Sequence, residues 1–207
     1  MLAMGARISN ITVCLPIQHF KSTEVFFQWI MSLNIIKQGD FYFATAGYRI
    51  NSWEGYRNDK AREILLKGLK KYPGMDFNMP FNAGKLGRVL NDDKTDFIPT
   101  IKRLNWLTFV SEEGVQIAGG IQKIKNDIEE SKISTIHSLE KGICIQSSDT
   151  PALSETDERF NQYYIIGKAL EDLLFKPHYR DYFPFTKEDM VIGKEWFYKY
   201  HKTPANN

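Results

Sequence analysis

Apolar residues along this chain follow two rhythms, one of three to four positions and one of two, and the changes between them mark out the elements. Ile8 to Ile17 alternates and reads as a strand. From Ser22 to about Leu33, Val25, Phe26, Trp29, Ile30 and Leu33 fall at helical spacing, with Ser22 placed to cap the first turn. Phe41 to Tyr48 is aromatic and β-prone. Asn58 or Asp59 can cap a helix carrying Ala61, Ile64, Leu65, Leu69 and Tyr72, and Pro73-Gly74 ends it. Residues 74–98, with their Gly, Pro and Asn, predict a long irregular connection.

The second half is more regular. Thr100 to Val110 predicts a strand, and Ser111 followed by Glu112 and Glu113 predicts a capped helix that breaks at Gly119-Gly120 and resumes through Ile121, Ile124 and Ile128. Ile133–Leu139 and Gly142–Gln146, joined by Glu140-Lys141, form a β-hairpin. A helix over Glu158–Phe175 places Phe160, Tyr163, Tyr164, Gly167, Leu170 and Leu174 on one face, and a last helix carries Trp196, Phe197 and Tyr200. The predicted fold class is α+β: a two-layer sandwich with a mixed, mostly antiparallel sheet and helices packed on it.

Composition bounds this picture. With 207 residues, 43% of them hydrophobic and 14% aromatic, the chain can bury a full core without disulfides or a structural metal. We expect a single domain over 1–207, its N-terminal lobe at about 1–75 and its C-terminal lobe at about 99–203. Cys14 and Cys144 provide no disulfide framework, so the expected compartment is reducing, the cytoplasm. No apolar run approaches the roughly 20 residues that cross a bilayer, and the polar interruptions after Arg7 do not fit a secretory leader. No membrane partner is expected.

The formal net charge of +2 hides an asymmetry. Residues 1–60, 61–110, 111–160 and 161–207 carry +2, +4, −5 and +1. A basic second quarter therefore precedes an acidic third quarter, which can matter for partner choice. Its plainest meaning is solvated helix faces, and Asp127, Glu129 and Glu130 at a helix end fit that meaning.

Reactive constellations are absent from the sequence. Gly119-Gly120 has no following Gly-Lys-Ser/Thr, and no dinucleotide fingerprint occurs. His19, His137, His178 and His201 lack zinc-ligand spacing. Cys144, between Ile143 and Ile145, reads as a small packed hydrophobe. Asp92, Asp93, Lys94 and Asp96 read as a solvated turn. The expectation is a chain that is not an enzyme, with no catalytic residue, metal or cofactor. Tyr179 and Arg180, before the last helix, are of the types that anchor interfaces.

A set of motifs is more telling. Leu69-Lys70-Lys71-Tyr72-Pro73-Gly74-Met75-Asp76 precedes Leu104-Asn105-Trp106-Leu107-Thr108-Phe109, and a short helix then closes on Ala118-Gly119-Gly120. Lys141-Gly142-Ile143-Cys144-Ile145-Gln146, Thr150-Pro151-Ala152-Leu153, a Tyr-led helix from Tyr164 to Leu170 and Trp196-Phe197-Tyr198-Lys199-Tyr200 follow in order. Together these resemble the type VI secretion immunity family, over about two thirds of the chain, while the first 60 residues match only in pattern. Two departures stand out. Ser154-Glu155-Thr156-Asp157 replaces a Gly-Asp-x-Asn that often follows the family's Pro-x-Leu turn, and Cys144 takes an aliphatic position.

The resemblance implies an antitoxin that binds a secreted effector, most often a nuclease, and neutralises it by occluding its active site. It implies structural roles for Trp106, Leu107, Thr108, Gly119, Gly120, Gly142, Ile145 and Gln146. A nuclease cleft is basic, so an inhibitor can meet it with acidic groups. Asp149, Glu155, Asp157 and Glu158, after the hairpin and at the next helix start, supply them, although Glu155–Glu158 can equally cap that helix. With Tyr179 and Arg180 they form the expected partner-binding set. The alternative is a nucleic-acid accessory module using Lys67, Lys70, Lys71, Lys85, Arg88, Lys102 and Arg103 of the basic segment. For an immunity protein no direct nucleic-acid contact is expected.

Overall fold

The structure is a computed structural model that describes residues 13, 15, 17–39, 41, 43–50, 59–77, 88–90, 97–129, 131–176 and 187–201. The elements run α1 (Thr23–Ser32), α2 (Asn34–Gln38), β1 (Phe43–Ala46), β2 (Arg49–Ile50), α3 (Asp59–Lys71), β3 (Asp76–Phe77), β4 (Arg88–Leu90) and β5 (Phe97–Pro99). They continue with β6 (Leu107–Ser111), α4 (Glu112–Ile117), α5 (Ile121–Ile128), β7 (Thr135–Ser138), β8 (Gly142–Gln146), α6 (Asn161–Ala169) and α7 (Lys187–Tyr198). Four strands form one antiparallel sheet in the order β1-β6-β8-β7. This is the α+β class expected, with helices packed on the sheet.

The side chains of the sheet alternate between two apolar cores. Leu107, Phe109 and Cys144 meet Phe27 of α1, Ile36 of α2 and Trp106. Val110, Ile143 and Ile145 point the other way, toward Val115 of α4, Ile124 and Ile128 of α5 and Tyr163 and Ile166 of α6. Helices thus cover both faces of this sheet, making three layers where two were expected, and all five residues of β6 are buried. A central strand covered in this way reads as a continuous apolar run rather than a polar alternation.

Local chemistry explains most boundaries. The Ser22 hydroxyl accepts from the Val25 amide at 3.2 Å and starts α1. The Ser111 hydroxyl does the same for α4, accepting from Gly114 N at 3.2 Å. Gly119 and Gly120, with φ of 94° and 91°, separate α4 from α5 as expected. Gly142 opens β8 at φ 117°, and a Cβ there would lie 2.2 Å from the Val110 carbonyl oxygen.

Four further expectations need correction. The strand expected over Thr100–Val110 is confined to its end, because Asn105 and Thr108 close a turn before it. Thr108 Oγ1 donates to the Asn105 carbonyl at 3.1 Å, and Asn105 Oδ1 accepts from Trp106 N at 2.8 Å. The helix expected over Glu158–Phe175 is three pieces, a 3-10 turn at Glu158–Phe160, α6, and a second 3-10 turn at Glu171–Leu173. Its last part is drawn away by backbone bonds to Ile101, from Ile101 N to Leu173 O and from Phe175 N to Ile101 O. Within 74–98 lie β3, β4 and the start of β5, where β2 pairs with β3 and β4 with β5. The expected N-terminal strand falls mostly outside the described residues, and its last residue, Ile17, begins a 3-10 turn ending at His19.

Candidate functional site

The segment after β8 is fixed from several sides. Ser147 N donates to Trp106 O at 2.9 Å, and Ser148 O accepts from Trp106 Nε1 at 2.7 Å and from Gln146 Nε2 at 3.0 Å. Gly74 N donates to Leu153 O at 3.0 Å, at an approach so close that a Cβ on Gly74 would sit 2.0 Å from Ala152 O. Asp157 caps the 3-10 turn by accepting from Arg159 N at 3.0 Å. The Arg159 guanidinium then folds back: Nε and Nη2 donate to the two Asp157 oxygens at 2.9 and 2.6 Å, and Nη1 donates to Thr150 Oγ1. A bidentate pair of this geometry closes the loop from 150 to 159. Beside it, a cleft of about 590 Å³ opens between the loop, Thr23 at the start of α1 and Tyr48.

The four acidic residues singled out in the sequence lie on this loop but differ in state. Asp149 is 85% exposed, with Arg159 Nη1 at 3.7 Å. Glu158 is exposed. Glu155 is paired with Lys199 beyond the end of α7, and Asp157 is taken up by Arg159. Four carboxylates against Arg159 and Lys199 leave a local charge of −2. Capping falls to Asp157, so the interface and capping readings divide among the four. Tyr179 and Arg180 lie outside the described residues.

The hydrogen bonds from Arg159 hold the Asp157 carboxyl below its ordinary value of 3.8, and the same pairing raises the Arg159 guanidinium. A carboxyl depressed in the folded state stabilises the fold above its unfolded value, and that contribution is lost as pH falls through the folded one. The Asp157→Asn variant should therefore be less stable than the parent at pH 7, and the difference should vanish in strongly acidic solution. Urea titrations at several pH values check this, and a gap that stays constant with pH would rule out the ion pair as its source.

The motif residues sit in the sheet and its turns. Trp106, Leu107 and Ile145 are fully buried, and Thr108 is 1% exposed. Gln146 Oε1 lies 3.0 Å from His137 Nε2. Cys144 is fully buried, and burial pushes its thiol well above the ordinary value, which makes it inert as a nucleophile. Burial likewise raises the Tyr163 phenol. Of the histidines, His178 lies outside the described residues, and His201 is pulled down first by burial, with Glu171 at 3.5 Å acting the opposite way. Among the described residues no group of three or more His, Cys, Asp or Glu is placed to hold a metal ion. Among them, no helix is long and apolar enough to cross a membrane.

The basic segment does not form one surface. Lys102 is buried against Asp76, and Arg103 is 3% exposed, inside the fold. Lys67 pairs with Glu63 at 2.6 Å, while Lys70 and Lys71 are exposed. Lys85 lies outside the described residues, and Arg88 is described only by its backbone in β4. Arg159 and Lys199, which shape the acidic loop, were missed in the sequence. The Asp157-x-Arg159 spacing beside a helix cap is a local signal for the first. Nothing local marks the second, which reaches Glu155 across 44 positions.

A charged loop braced on a scaffold of helices and sheet is a common place for functional residues. The family comparison makes this specific. Residues 3–200 match the model of TsiV, Type VI immunity for VRR-NUC, and the chain belongs to that family. The match includes the first 60 residues, where the motifs showed only a pattern. Among solved structures, the Pseudomonas aeruginosa T6SS protein PA0821 is similar with a TM-score of 0.49 and 17% identity. The alignment covers 70% of this chain and 39% of that one. A search of curated proteins gave no match.

Proposed function

We propose that this chain binds a cognate VRR-NUC nuclease effector directly and neutralises it by occluding its active site. The observation that carries the reading is the family match over residues 3–200. Such a protein acts by binding, in the cytoplasm where a nuclease meets its substrate, and needs no reaction of its own. The loop at 149–158 supports the reading through its chemistry. Asp149 and Glu158 present exposed carboxylates on a segment held by Arg159, and a nuclease cleft that accepts a polyanion carries the opposite charge.

The direct test is co-expression with a VRR-NUC nuclease toxin: growth is restored and a stable complex is recovered with the cognate one. No complex would sink the proposal. Within it, the double variant Asp149→Lys/Glu158→Lys should associate about tenfold more slowly at low salt and lose that difference at high salt. Asp157 is left intact because it braces the loop. Association kinetics unchanged at low salt would remove the acidic surface from the mechanism.

A further inference from the structure

The cleft beside the loop has a chemistry distinct from its acidic rim. Five hydroxyl side chains line it, those of Thr23, Tyr48, Thr150, Ser154 and Thr156. Asp157 and Arg159 also line it, and because they pair with each other their charges cancel. The guanidinium is engaged on all three nitrogens, by Asp157 and Thr150. A phosphate or nucleotide would need a free cation here, and a basic side chain would need a free carboxylate. Hydroxyls both donate and accept. A lining of hydroxyls with Pro151 and Leu153 between them, in which Ser154 Oγ is bonded to Thr156 Oγ1, carries no net charge and matches the polar but uncharged groups of polypeptide backbone. The volume of about 590 Å³ suits a short segment.

The walls are also set in advance. Thr23 follows the Ser22 cap of α1, Leu153 is tied to Gly74, and Thr150 is tied to Arg159. Little ordering remains to be done on binding, which lowers its entropic cost.

We propose that this cleft receives an uncharged, extended loop of the cognate effector, hydrogen-bonded through its main chain, while the exposed carboxylates outside steer the approach. The inference rests on the immunity reading above. The probe is the VRR-NUC nuclease of the co-expression test in catalytically inactive form, added to the full chain. A benzophenone amino acid at position 156 should crosslink to the nuclease, and one at position 125, on the exposed side of α5, should not. Thr156→Trp, which fills the cleft, should weaken the complex at least tenfold, mainly through faster dissociation, whereas Lys125→Trp should leave it within twofold. A wild-type chain that forms no complex overturns the immunity reading and this inference with it. A wild-type complex with no crosslink from position 156, or one that folded Thr156→Trp leaves within twofold, overturns the cleft assignment alone.

Discussion

Replacing Arg103 with alanine is expected to destabilise the fold by about 3–5 kcal/mol, because three acceptors and two aromatic faces lose their common partner. Arg103 is 3% exposed and lies where three parts of the chain meet. Its guanidinium donates to the Trp196 and Pro73 carbonyls and, at 3.1 Å, to the Tyr200 hydroxyl. It also lies 3.9 Å from the centre of the Trp196 ring and 4.5 Å from that of Tyr200. A chain of this length loses about 2–4 °C in Tm per kcal/mol, so the drop should be roughly 6–20 °C in a thermal scan. Arg103→Lys should recover only part of it, since an ammonium lacks the planar fork whose Nη1 and Nη2 reach the Trp196 and Pro73 carbonyls separately. A loss below about 2 °C would show that Arg103 does not hold these parts together. The effect should reach the candidate site, because Tyr200 packs on Phe160 and Tyr164 and the adjacent Lys199 holds Glu155.

Arg103 also shows where reading a sequence fails. A Lys-Arg pair reads by its charge as surface even between Ile101 and Leu104, and the partners of Arg103 lie 30, 93 and 97 positions away. The basic stripe it suggested dissolves once Asp76, Trp196 and Tyr200 are brought to it. Signals confined to a few residues fared differently. The hairpin of β7 and β8, the Ser22 and Ser111 caps and the Gly119-Gly120 break each depend on side chains within four positions of the feature, and each is found where the pattern put it. The strand expected from Thr100 was shortened by the turn that Asn105 and Thr108 make, a competition that β-propensity does not register. The candidate site divides along the same line. Its acidic character is local and legible, but the pairing that consumes Glu155 and Asp157 while leaving Asp149 outward depends on Lys199 and on the way Arg159 folds back.

Trp106→Ala should cost about 3–5 kcal/mol as well, through a large cavity and a lost hydrogen bond. Trp106 is fully buried, donates to Ser148 O and stacks on Phe26 of α1 at 6.0 Å between ring centres. It therefore joins the N-terminal helix, the central strand and the start of the candidate loop. If the chain is one cooperative domain, as we propose, the parent protein should unfold in a single transition in urea, and so should the variant, at a lower midpoint. Far-ultraviolet circular dichroism, which follows all the helices, should coincide with the tryptophan fluorescence, to which Trp29 in α1, Trp53 and Trp196 in α7 contribute in both proteins. Two separated transitions would show that the N-terminal and C-terminal lobes unfold independently. The same variant leaves Ser148 O held by Gln146 Nε2 alone at the point where the loop leaves β8, so its complex with the nuclease should dissociate faster even at temperatures where the fold is intact. A complex with parental lifetime would mean that the loop holds its shape without the Trp106 side chain.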